Sequence, residues 1–145
     1  MDEIKTMNNN DELQPTHSFD LKAFESELKI EFPEIAKEIE EDEGLLHLHF
    51  GSLYRFTQEK IRNNNWNEVK KVFKYLGNKY SENNFEIENA IRVSYLEYFD
   101  FVEHEEKIKG LFGPIILGIY DDQMEYQKKL FKNQENNQRN NENAT

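Results

Sequence analysis

The chain has 145 residues, a net charge of −11, 37% apolar and 32% charged residues, and no cysteine. That length sets one domain around one core as the starting expectation. The missing thiols exclude disulfides and thiolate metal sites, and the net acidity opposes phosphate backbones and anionic lipid, so neither nucleic acid nor membrane is an expected partner. The opening MDEIKTMNNN lacks a basic and then an apolar leader region. The longest apolar run is about five residues against the ~20 that cross a bilayer, and the expectation is a soluble, cytoplasmic protein.

Taken in order, residues 1–17 are polar and aperiodic and read as a loose segment. Ser18 suits an N-cap, with Asp20 in the first turn behind it. Phe19, Leu21, Phe24, Leu28 and then Ile30 or Phe32 form a helical stripe. Pro33 restarts the chain as a short helix through Ile35, Ala36 and Ile39 to about Glu41, and Gly44 ends the acidic run. A long helix is expected over roughly Leu45 to Asn63, with Leu45, Leu46, Phe50, Leu53, Tyr54, Phe56 and Ile61 on one half. Asn65 and Glu68 have capping-box spacing, and Trp66, Val69, Val72, Phe73, Leu76 and Tyr80 line an arc of about 120° on the helix that follows.

Asn83 and Glu86 repeat that spacing before a helix over about 84–101. Its apolar residues wrap most of the circumference, which predicts a place at the centre of the bundle. A charged connector, Glu103 to Lys109, and a Gly110-to-Pro114 turn lead to a last helix from about Ile115 to Lys132, with Ile116, Ile119, Tyr120, Met124, Leu130 and Phe131 inward. Residues 133–145 hold six Asn and two Gln, a composition that predicts a disordered tail. The fold class is therefore all-α: five or six helices in a domain over 18–132, packed around the 84–101 helix.

The residues that carry chemistry elsewhere are scattered here. His47 and His49 point about 200° apart on a helix and cannot share a metal, and His49 falls in the apolar arc as a hydrogen-bonded core histidine. His104 lies among Glu103, Glu105 and Glu106, but no HExxH or paired Glu-x-x-His accompanies it. Ser52 lacks the second glycine of a nucleophile elbow, and Ser94 reads as a packing residue. Glu97 and Asp100 need a cleft before acid–base work is credible. Arg92 pairs most simply with Glu88 one turn back. No catalytic residue, cofactor or metal is expected.

Charge, by contrast, is laid down in blocks. Positions 20–43 hold ten carboxylates and three lysines, and positions 44–80 hold seven basic and two acidic residues. Blocks of this kind govern what a surface attracts.

From Leu46 to Phe101 the chain resembles a family of small, acidic, uncharacterised bacterial all-helical domains. The resemblance lies in the His-Leu-x-Phe helix start, the Asn65-Trp66 cap, ENAIRVSYLEYFDF from Glu88 to Phe101, and the later GPIILGIY turn and helix. It spans about residues 20–130, with no assigned activity and no catalytic residue to carry over. The size and acidity are similar to those of immunity proteins of toxin systems, which implies a binding role. The expected function is a non-catalytic binding module for a basic protein partner, with such an inhibitor of a basic toxin domain as its concrete form. Glu38, Glu40, Glu41, Asp42, Glu43, Glu97 and Asp100 would attract the partner, and Tyr54 or Tyr98 would anchor it. The alternative is a helical ligand-binding or regulatory protein, with His49 and Arg92 in a pocket or the Lys70–Lys71–Lys74 face in contact with a partner.

Overall fold

The computed structural model describes residues 19–99 and 103–143. The expected loose segment 1–17, the Ser18 cap and Asp100 lie outside the described residues. Among those described, the chain is all-α, with seven α-helices and two 3-10 turns in two compact units, Met1–Phe99 and Asp100–Thr145.

In the first unit, α1 (Leu21–Glu31) is capped by Asp20, whose carboxylate accepts the Ala23 N–H at 3.0 Å. Phe32, not Ile30, completes its stripe: Phe32 is buried, whereas Ile30 is exposed. A 3-10 turn at Pro33–Ile35 opens α2 (Ala36–Glu41), and α3 (Leu46–Arg62) follows the Gly44 corner. Helix α3 ends in a Schellman turn, with Asn65 N–H on the Lys60 carbonyl and Asn64 N–H on that of Ile61. Asn64 takes the left-handed conformation at φ 56° that such a turn needs.

Helix α4 (Trp66–Tyr80) buries Val69, Val72, Phe73 and Leu76 of the expected arc and leaves its end residues Trp66 and Tyr80 half-buried, and the Asn65 side chain makes no capping bond. The next cap falls one residue later than expected: Asn84 accepts from Glu86 and Ile87 N–H, and α5 is Phe85–Ser94.

Three expectations are corrected. The helix expected over 84–101 stops at Ser94, because Tyr95 leaves helical geometry (φ −130°, ψ −67°) and swings inward, fully buried, to share a 2.7 Å hydrogen bond with Thr57. A 3-10 turn at Leu96–Tyr98 follows. The centre of the unit is therefore α3, which packs on α2, α4 and α5, and Phe85 is left exposed on α5. Tyr95→Phe, which removes this buried hydrogen bond while Thr57 keeps its own bond to the Leu53 carbonyl, is expected to lower stability by about 1 kcal/mol, as checked by urea unfolding.

The other two corrections fall in the second unit. The charged connector is helical, forming α6 (Glu105–Leu111), with a Lys109–Glu105 pair one turn apart at 3.1 Å. Gly113, at φ +78°, makes the corner into α7 (Gly113–Asn143). That helix runs past Lys132 through the Asn/Gln-rich segment to Asn143, because no glycine or proline interrupts the chain after Gly118. Ile116, Ile119 and Tyr120 are buried as expected, but Leu130 and Phe131 are exposed. No helix among the described residues is long and apolar enough to cross a membrane.

Candidate functional site

The two charge blocks meet each other. Lys60 of α3 pairs with Glu34 at 2.9 Å, and Lys79 of α4 pairs with Glu27 of α1 and with Glu82. Hydrogen bonding to Glu34 holds the Lys60 ammonium above its usual range. Burial pulls Lys79 down, but Glu27 and Glu82 more than offset it. Lys71 donates to the Glu31 carbonyl and lies over the Phe32 ring. Much of the basic block is thus spent on α1 and the turn behind it, while Lys70 and Lys74 stay exposed.

What this pairing leaves over is the end of α2. Positions 38–43 hold five carboxylates. Of these only Glu40 has an ion pair among the described residues, a loose one with Lys29 at 3.7 Å. Glu38, Glu40, Glu41 and Glu43 are exposed, and Asp42 is half-buried. Glu40, Glu41 and Asp42 crowd the C-terminal end of a helix, where the backbone carbonyls already carry partial negative charge and acids are disfavoured. Folding gains nothing from acids there. Immediately after them Leu45 and Leu48, at the start of α3, stand 52% and 48% exposed.

The corner below this ridge is held from inside. Glu25 of α1, buried to 6% exposure, takes two donors on one oxygen: Gly44 N–H at 2.8 Å and His49 Nε2 at 2.5 Å. Burial pushes the Glu25 carboxyl up, but these two bonds, with the charges of His49 and Lys29, outweigh it and hold it below the usual carboxylate range. Gly44 can present its N–H this way because it sits at φ +87°, a conformation that favours glycine. His49 is a core histidine, as its place in the apolar arc implies, with no exposed surface and Nδ1 unpartnered.

The second group of expected residues lies along the same helix. Tyr54, about 13 Å up α3 from Leu45 at 1.5 Å per residue, turns inward. Its hydroxyl donates to the Tyr98 carbonyl at 2.6 Å, and its ring meets Tyr95 and Phe99 edge-on. That leaves Tyr98, 65% exposed, and Glu97 as the outward residues of this end. Ser94, expected only to pack, bonds His47 Nδ1 at 2.6 Å across the α3–α5 contact. Nothing in the sequence marks that pair, because its members are 47 positions apart.

His49 and Arg92 are not brought together. Arg92 is exposed and donates from Nε and Nη2 to the Tyr80 hydroxyl, at 3.1 and 2.7 Å. Neither lines the surface depressions beside α1. Among the described residues no group of His, Asp and Glu is arranged to hold a metal. No curated protein and no solved structure matches the chain. The family model described as Domain of unknown function (DUF7674) matches residues 25–127, most of the chain, and the protein belongs to that family.

Proposed function

We propose that the protein is a non-catalytic binding module that takes a basic protein partner on the ridge Glu38–Glu43, with Leu45 and Leu48 as its apolar edge. The concrete form of this reading is an immunity-type inhibitor acting in the cytoplasm, which masks a basic bacterial toxin domain. The carrying observation is that internal lysines pair with Glu27 and Glu34 while Glu38, Glu41, Asp42 and Glu43 have no ion pair among the described residues. Acids kept where a helix end disfavours them suit attraction better than stability. A field of this sign speeds encounter with a basic surface, and apolar contacts then slow departure. Glu97 and Tyr98, exposed on the 3-10 turn Leu96–Tyr98, are a second acidic and aromatic pair open to a partner.

The test is capture from the native host, comparing the unaltered chain with the triple variant E40K/E41K/D42K. The expected outcome is one basic protein retained at low salt by the unaltered chain and lost by the variant. With that protein in hand, stopped-flow association is expected to slow about tenfold or more and to lose most of its salt dependence in the variant. Equal association by a variant that still melts like the unaltered chain overturns the reading.

A further inference from the structure

The corner that Glu25 holds is not closed on every side. Glu25 takes both of its donors, Gly44 N–H and His49 Nε2, on the single oxygen Oε2. Its other oxygen, Oε1, has no hydrogen-bond partner among the described residues, and unlike His49 Nδ1 it is not sealed from solvent. The residue is almost wholly buried, and it lines a depression of about 540 Å³ beside the Gly44 corner. The two bonds of the corner need one acceptor oxygen, which a neutral glutamine would also supply. The second, charged oxygen is surplus to them.

The depression has the chemistry of a seat for a cation. Asp20 uses Oδ1 to cap α1 and keeps its second oxygen. Glu43, exposed and without an ion pair among the described residues, also lines it and is the last acid of the ridge, so ridge and depression are continuous. Lys22 is the one opposing charge, which leaves the lining net acidic. Phe19 and Leu21, both half-buried, supply an apolar wall. The carboxylates are not arranged to hold a metal ion. A planar cation with several donors on an apolar stem can span such dispersed oxygens, and arginine has that form. A lysine ammonium is a compact point charge and meets fewer of them at once. The bonds to Oε2 also fix the Glu25 carboxylate in place and keep it ionised despite its burial, so little order has to be imposed when a cation arrives.

We propose that this depression seats one arginine side chain of the basic partner. Its guanidinium donates to Glu25 Oε1 and to the carboxylates of Asp20 and Glu43, and its stem lies along Phe19 and Leu21. The assignment rests on the ridge being the surface that meets the partner, and it adds the anchor beside that ridge.

The Gly44 N–H, bonded to Glu25, reports the site by NMR of the isotope-labelled full chain without any partner. At physiological salt Nα-acetyl-arginine amide is expected to shift that signal saturably, with a Kd on the order of 1 mM. The corresponding lysine and leucine amides are expected to bind at least about fivefold more weakly. D20N/E43Q, in which Asn keeps the helix cap, is expected to weaken the arginine derivative about tenfold with an unchanged melting curve. The ridge variant E40K/E41K/D42K leaves the depression intact and is expected to bind the derivative within about twofold, since salt screens charges beyond about 8 Å. If the ridge reading fails, that triple variant keeps its association with the partner, and the Gly44 titration still decides the anchor by itself. An arginine derivative that leaves Gly44 unmoved, equal binding of the lysine or leucine amide, or a D20N/E43Q chain that binds like the unaltered one overturns the proposal.

Discussion

Glu25→Ala is expected to lower the stability of the chain by about 3 kcal/mol, measured by urea unfolding. The loss would come from what the carboxylate leaves behind: a fully buried His49 loses its acceptor where no solvent replaces it, and the Gly44 N–H loses the bond that holds its corner. Glu25→Gln keeps one acceptor oxygen and is expected to cost about half as much. The same carboxyl sets an acid limit. Its folded pKa lies below its unfolded value, so its contribution is fully present above about 4.3, the usual glutamate value. It is lost as pH falls through the folded pKa. An acid-unfolding curve of Glu25→Gln is expected to lack that step. The variant also frees the Gly44 corner, so partner association is expected to slow although every ridge acid is intact. A Glu25→Ala chain that unfolds at the urea midpoint of the unaltered one would refute this role.

Phe32→Ala is expected to cost about 3–5 kcal/mol, the range for emptying a buried aromatic site. Phe32 is 1% exposed and closes α1, with its N–H on the Leu28 carbonyl at 2.9 Å. Its ring meets Phe56 and Tyr75 edge-on at 5.7 and 5.3 Å, under the Lys71 ammonium at 5.1 Å. One side chain thus joins α1, α3 and α4. Phe32→Leu fills most of the space and is expected to lose less than half as much. The check is a shift of the urea midpoint at constant slope. A loss near 1 kcal/mol would mean that the site collapses without a cavity.

The fold was legible wherever one face of a helix met the core. The arc Val69, Val72, Phe73 and Leu76 is buried as its spacing implies, because a 3.6-residue period has a single inward side. Legibility failed where a distant contact overrode the local pattern. Nothing near Ser94 breaks a helix; the break comes from Thr57, 38 positions from Tyr95, which takes the tyrosine hydroxyl. Residues 105–111 look solvated by composition, yet helical spacing lets Glu105 and Lys109 pair. The acidic ridge was visible as a run of letters. Which of its carboxylates stay unneutralised was not, because that depends on lysines of α3 and α4 meeting α1 and the turn behind it. The Glu25–His49 pair, 24 positions apart, left no local trace.

The neighbourhood of the charge blocks along the chain has a consequence for synthesis. As the polypeptide emerges from the ribosome, positions 20–43, with a net charge of −7, appear before the basic block at 44–80. Its compensating partners Lys60 and Lys79, which pair with Glu34 and Glu27, come later in the chain. The ion pairs that tie α1 and the turn behind it to α3 and α4 therefore complete only after position 79 has been added, and the first unit gains them as a unit and not helix by helix.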